Sequence, residues 1–214
     1  GLEMGTVYSA LGSRVTVVEM TGDLLPGVDR DLVRALLPRL KSKFQSIYLN
    51  TQVTSCELKE NKVAAEFEGP GDIEPANYDR VLVAVGRKPN SMDLGLESTR
   101  VRMDDKGFVK VDEGYQTAEP SIFAIGDVIG GTMLAHKASA EGKNVVKILS
   151  GEEPILKAHC IPAVVFTDPE LAWCGLTETE AQNNNRKVQV AKFPWGASGR
   201  AHALGRPDGV TKLI

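Results

Sequence analysis

The sequence predicts an α/β chain built from strand–helix–strand units. Three observations carry that reading. Near the start, a helical stretch bearing Val7, Ala10 and Leu11 ends at Gly12. It passes into the apolar run Val15-Thr16-Val17-Val18, closed by Glu19. Further on, Val81-Leu82-Val83-Ala84-Val85 is a continuous apolar run that stops at Gly86. Such runs suit strands of a parallel sheet covered on both faces. Third, Ile122-Phe123-Ala124-Ile125 runs into Gly126-Asp127 as one short buried strand, and a helix is expected over 133–147, with Leu134, Ala138, Val145 and Ile148 available for packing.

Composition sets the outer bounds. Of 214 residues, 42% are hydrophobic and 25% charged, as in ordinary globular domains. A formal net charge of −3 without a long basic run makes nucleic acid an unexpected partner. No apolar stretch approaches the length of a membrane span, so no membrane partner is expected. Cys56, Cys160 and Cys174 are widely spaced and form no metal-like cluster, so no metal is expected. They read as buried or half-buried thiols of a reducing compartment, which favours the cytoplasm. The sequence holds no internal repeat and no low-complexity tract.

The order helix, glycine, strand, acid is the back half of a Rossmann-like βαβ unit that binds dinucleotides. In the complete unit a strand and G-x-G-x-x-G precede the helix, and Gly1 takes the place of the third glycine. Glu19 is the acid expected about 20 residues beyond the glycines. A carboxylate there accepts both hydroxyls of the adenosine ribose and repels a 2′-phosphate, which selects NAD over NADP. Each such charged hydrogen bond is worth about 1.5–3 kcal/mol. The unit's first strand is central to a doubly wound sheet. Because it and the first two glycines are missing, the chain is expected to be a fragment, or a partial copy, of a longer enzyme.

Residues 21–28 read as a loop. Asp29 or Asp31 caps a helix over about 30–44, with Leu32, Ala35, Leu36 and Leu40 on one face. A short strand over 47–49 and period-two strands over 51–57 and 62–68 follow, with Asn61 near the turn. Gly86, at the end of the apolar run, either lets a ligand approach the backbone or is a plain turn. Arg87 reads equally as a phosphate ligand or an interface ion pair and stays unassigned. Residues 89–95 suit a linker and 150–154 a boundary. Strands are expected over 161–167, 171–175, 188–193 and 210–214. Thr177 and Glu180 have the spacing of a helix capping box. Cys174 is expected in the core, and His159 and His202 in surface or packing roles.

Asp127 stands at a strand end just before a helix. The open N–H groups of a helix start attract anions. Asp127, itself an anion, better suits a hydroxyl donor such as a ribose or ribityl chain, or else is a turn former that caps the strand.

The run Ala124-Ile125-Gly126-Asp127-Val128, followed by Met133-Leu134-Ala135-His136-Lys137-Ala138 and Glu141-Gly142, resembles the second flavin-binding segment of the FAD-dependent pyridine nucleotide–disulfide oxidoreductases. The segment Ala135 to Ala138, with Ala172-Trp173 and Ser198-Gly199-Arg200-Ala201, leans towards the branch that oxidises dihydrolipoamide. The resemblance implies that Asp127 bonds the ribityl chain of FAD, with Met133, Leu134, Ala135 and His136 along the flavin. It places Gly1, Glu3, Glu19, Val53 and Gly86 at the NAD site, Glu3 near the nicotinamide end. It divides the chain into an NAD-binding domain (1–88), an FAD-facing central segment (89–155) and the beginning of an α+β dimerisation domain (156–214). The implied activity passes electrons from protein-bound dihydrolipoamide through a redox disulfide to FAD, then as hydride to NAD. The implied partners are a second copy of the enzyme, as a homodimer, and the lipoyl domains of 2-oxo acid dehydrogenase complexes. The chain lacks the family's Cys-x4-Cys and His-x4-Glu, so it is expected to carry binding parts without catalytic residues. Alternatives are another flavin disulfide reductase, a soluble transhydrogenase, or a non-catalytic nucleotide-binding module.

Overall fold

The structure is a computed structural model that describes residues 1–71, 73–154 and 160–214. The expected boundary at 155–156 and His159 lie outside the described residues. The chain forms two units, one from Gly1–Ala84 with Val164–Ile214, the other from Val85–Ala163. Among the described residues no helix is long and apolar enough to cross a membrane.

The first unit begins with α1 (Leu2–Ala10), β1 (Thr16–Val18), α2 (Arg30–Lys43) and β2 (Ser46–Tyr48). β1 and β2 pair in parallel, Val17 opposite Ile47, so α2 is the crossover of a strand–helix–strand unit. α2 supplies the core with Val33, Leu36 and Leu40, which meet Leu2, Leu24, Val28, Phe44 and Leu171. The expected face of α1 is corrected. Val7, Ala10 and Leu11 are exposed, and the helix buries Leu2, Gly5 and Thr6. Gly5 decides the face, because a Cβ there would stand 3.2 Å from the Phe44 ring and 3.5 Å from Val15.

β3 (Gln52–Lys59), β4 (Lys62–Glu68) and β5 (Ala76–Tyr78) form an antiparallel meander. The apolar run 81–85 is a second correction. It forms no strand, and Val83 and Val85 are 74% and 93% exposed. Its apolar composition answers to a covered strand, but among the described residues no strand lies beside it to complete a ladder.

The unit's last part holds β6 (Ala163–Val165), of which Val164 and Val165 lie in this unit, paired with β7 (Leu171–Trp173). Then come α4 (Glu178–Asn183), β8 (Ala191–Pro194), α5 (Gly199–Ala203) and β9 (Val210–Leu213). The capping box forms: Glu180 N–H donates to Thr177 Oγ1 at 3.1 Å, and Thr177 N–H donates to Glu180 Oε2 at 2.9 Å. Lys212 of β9, its side chain 4% exposed, lies between Glu178 (2.6 Å), Asp29 (3.0 Å) and Asp31 (3.1 Å). Burial disfavours its charge, but the three carboxylates outweigh burial and raise its pKa. Asp29 also accepts the Glu178 N–H at 3.1 Å. One ammonium thus joins the starts of α2 and α4 to the last strand.

The second unit is mostly turns around α3 (Ala135–Leu149). Residues 122–125 are half-buried and pair only through a Gln116–Phe123 bridge, where a buried strand was expected. Without a longer partner strand, the backbone closes local bonds instead, as Ala124 N–H does to Tyr115 O at 3.0 Å. The half-buried residues of α3 include the expected Leu134, Ala138, Val145 and Ile148, but its fully buried positions are polar, Glu141 and Asn144. Cys56, Cys160 and Cys174 are all exposed, contrary to the expectation of buried thiols. Cys56 lies on an open strand, and Cys174 follows β7 at its free end.

Asp168 links α2 to the loop before β9. Its carboxylate accepts from Lys43 Nζ at 2.6 Å and from Arg206. These two cations hold its pKa below the usual carboxyl range, Lys43 first. A carboxyl depressed on folding contributes stability above its unfolded pKa and loses it as pH falls through the folded one. Asp168→Asn is therefore expected to lower the urea midpoint at about pH 7, by a margin that shrinks as pH falls below about 4. A margin that stays constant as pH falls would separate the pair from acid sensitivity.

Candidate cofactor-binding site

The Gly-Asp segment is held by its own glycine and by a buried ion pair. A 3-10 turn spans Gly126–Ile129. Gly126 has φ +74°, and a Cβ there would stand 3.0 Å from the Ala138 Cβ of α3, so only glycine fits. Its N–H donates to Glu141 Oε2 at 2.7 Å. Lys137 Nζ lies 3.0 Å from Glu141 Oε1, with both side chains about nine-tenths buried (11% and 10% exposed), and donates to Gly130 O at 2.9 Å. The pair therefore clamps both ends of the turn onto the first two turns of α3.

Asp127 is carried on this clamped turn with its carboxylate half exposed. Its Oδ2 accepts from Arg87 Nη1 at 2.8 Å, and Arg87 Nη2 donates to Met133 O at 2.6 Å. Oδ1 takes no bond among the described residues. Leu134 is the N-cap of α3, with no side chain bonded to the helix start, and the first N–H to find a partner one turn back is that of Ala138, on Leu134 O. The amides of Ala135, His136 and Lys137 are thus open donors among the described residues. The His136 ring bonds Pro162 O through Nε2 at 2.8 Å. An acceptor oxygen and open amides a few residues apart match a ligand that has both hydroxyls and anionic or carbonyl oxygens, as FAD does.

In the first unit, Glu19 follows β1. Its N–H donates to Tyr48 O at 2.8 Å, and its carbonyl accepts the Thr51 N–H at 3.0 Å. Its Oε1 accepts from the N–H and hydroxyl of Thr21 at 2.8 and 2.7 Å, leaving Oε2 without a bond among the described residues. This ordered acceptor at a strand's carboxyl end suits ribose hydroxyls, so the residues present fit NAD. Gly1 is the N-cap of α1 without a side-chain cap, and a Cβ there would touch Ala84 at 3.4 Å. Glu3 Oε1 is engaged by the Phe166 N–H at 2.8 Å. Val53, exposed, is the second residue of β3 and stands at a bulge two residues beyond Thr51. Gly86, at φ +126° with open space where a side chain would be, belongs to the second unit.

The family profile described as pyridine nucleotide-disulphide oxidoreductase matches residues 1–142, and that family's dimerisation-domain profile matches residues 161–214. The chain belongs to the pyridine nucleotide-disulphide oxidoreductase family. Similar members include the dihydrolipoyl dehydrogenase of Vibrio parahaemolyticus, 46% identical over 215 residues, and that of Geobacillus stearothermophilus, 40% identical over 214. Both alignments take in 100% of this chain, which spans 45% and 46% of those relatives. Among solved structures of the family, the HOCl-induced flavoprotein disulfide reductase RclA from Escherichia coli superposes with a TM-score of 0.87 at 28% identity, over 99% of this chain and 48% of that one. LpdA from Mycobacterium tuberculosis superposes with a TM-score of 0.87 at 25% identity, over 99% and 46%. The α/β fold expected from the sequence is the fold of these family members.

Three side chains of the second unit have roles that the sequence left open: Arg87, weighed as a phosphate ligand or an interface ion pair, pairs with Asp127, and Lys137 and Glu141, quoted only as part of the family-like segment, hold the turn. The i,i+4 spacing of Lys137 and Glu141 was a visible signal, but such spacing is common on solvated helix faces. Removing one partner of a nearly buried pair costs about 3–5 kcal/mol, because the other charge is left uncompensated. Glu141→Gln is expected to lower unfolding stability by about 3 kcal/mol in denaturant titration, with part recovered by Lys137→Met in the same chain. A loss within about 0.5 kcal/mol, typical of surface changes, would mean the pair does not hold the turn.

Proposed function

We propose that this chain is the NAD- and FAD-binding part of a dihydrolipoamide dehydrogenase, an NAD-dependent flavoprotein that oxidises protein-bound dihydrolipoamide. The observation that carries the reading is Asp127, held on a clamped turn just before α3 with one acceptor oxygen that takes no bond among the described residues. The 46% identity to a dihydrolipoyl dehydrogenase along the whole chain supports the choice of substrate.

In this reading Asp127 accepts a ribityl hydroxyl of FAD, and Met133, Leu134, Ala135 and His136 lie along the flavin. Glu19 accepts the adenosine ribose hydroxyls of NAD. Gly1, as the third glycine of the fingerprint, lets α1 pack close to the sheet, and Glu3, Val53 and Gly86 are assigned to NAD binding. The bound flavin supplies the electron transfer between a dithiol–disulfide pair and the nicotinamide. The residues of this chain orient the two cofactors and select NAD by charge. We assign 1–88 to NAD binding, 89–155 to the flavin and 156–214 to dimerisation. The dimerisation-domain match supports a homodimer. Lipoyl domains of 2-oxo acid dehydrogenase complexes are the proposed electron donors, and the proposed compartment is the cytoplasm. The superposition on RclA supports a second reading, a flavin disulfide reductase with another substrate.

With dihydrolipoamide as donor, the full-length parent enzyme is expected to reduce NAD, and this chain alone is not. Glu19→Ala should raise the Michaelis constant for NAD by about 10- to 100-fold, the worth of one charged hydrogen bond, and narrow the preference over NADP. Unchanged constants for both nucleotides would remove Glu19 from the site. NAD reduction by other dithiols but not dihydrolipoamide would favour the second reading.

A further inference from the structure

We propose that Arg87 is a positioning residue for the flavin, one guanidinium that ties together the two pieces of backbone on which FAD rests. The inference rests on the flavin reading of Asp127 and goes beyond it. Arg87 lies in the segment after the apolar run 81–85, forty residues from Asp127 in sequence. Its two terminal nitrogens divide between two acceptors. Nη1 donates to Asp127 Oδ2 at 2.8 Å, and Nη2 donates to the Met133 carbonyl at 2.6 Å. Asp127 sits on the 3-10 turn, and Met133 lies immediately before the N-cap of α3.

The fork does two things at once. It occupies one oxygen of Asp127 and keeps that carboxylate from rotating, so Oδ1 is the oxygen left for a hydroxyl donor. It also fixes the carbonyl at the start of the stretch Met133 to His136, and with it the direction in which the first amides of α3 point. Glu141 and Lys137 hold the turn through buried side chains, whereas Arg87, with its side chain 57% exposed, holds it through a solvent-exposed one. Such a role needs the planar, two-pronged geometry of a guanidinium. A lysine keeps the charge but presents one compact ammonium that cannot serve both acceptors in the same way.

The test compares Arg87→Lys and Arg87→Met with the parent by FAD titration of the flavin-depleted enzyme, following flavin fluorescence. The flavin-free melting temperature is measured alongside. Arg87→Lys is expected to weaken FAD binding about tenfold and Arg87→Met more, with the flavin-free melting temperature of both unchanged. In an Asp127→Asn background, Arg87→Met should cost less than it does alone, because the two side chains act through one contact. FAD affinity of Arg87→Lys equal to the parent overturns the proposal. So does a loss of affinity matched by an equal fall in flavin-free stability, since that marks a purely structural side chain. A parent enzyme that binds no FAD overturns the flavin reading itself, and the proposal falls with it.

Discussion

The second unit depends on one ion pair. Lys137 and Glu141 are nearly sequestered from water, and two charges in that position are costly unless each finds its full set of partners. Here each does. The carboxylate takes the Gly126 amide as well as the ammonium, and the ammonium takes the Gly130 carbonyl as well as the carboxylate. The surplus partners are the two ends of the turn that carries Asp127. In a unit with few regular strands, this polar clamp does what a ladder of strand hydrogen bonds does elsewhere. It also explains why α3 buries a glutamate where a helix packed only by hydrophobic contact would bury leucine or valine.

The first unit is organised differently. An aliphatic core along α2 sets the strand–helix–strand unit, and the unit places Glu19 where β1 ends. Polar links then attach the later part of the chain. Lys212 joins three carboxylates, and Asp168 joins Lys43 to Arg206. Burial works against the charge of Asp31, and Lys192 and Lys212 lower its pKa against that effect. The two acids proposed to meet ligands, Glu19 and Asp127, are positioned by contrasting means. Glu19 is ordered by a threonine two residues away, Asp127 by an arginine forty residues away.

Local signals in the sequence were the ones that survived into three dimensions. The parallel unit around α2 followed from apolar spacing, and the Thr177–Glu180 box from a three-residue pattern. Asp127 is weighed as a turn former from its place after a strand, and the structure adds the reason for Gly126, since glycine alone tolerates that backbone so close to Ala138. What depended on distant neighbours was not readable. The run 81–85 has the composition of a covered strand, but a strand also needs a partner, and composition does not name one. The buried face of α1 was misread because Gly5, silent in an apolar count, is the residue that lets Phe44 approach. Exposed Cys56, Cys160 and Cys174 show the same limit, since burial belongs to the neighbours and not to the side chain. Arg87 meets Asp127 only through the fold.

The proposed NAD and FAD sites make a demand that a single experiment meets: hydrogen–deuterium exchange of the purified protein alone, with FAD, and with NAD. FAD should slow exchange over residues 126–136, and NAD should slow it over 1–5 and 17–21. Protection by FAD or NAD that appears elsewhere and leaves those segments unchanged would contradict the assignment of both sites.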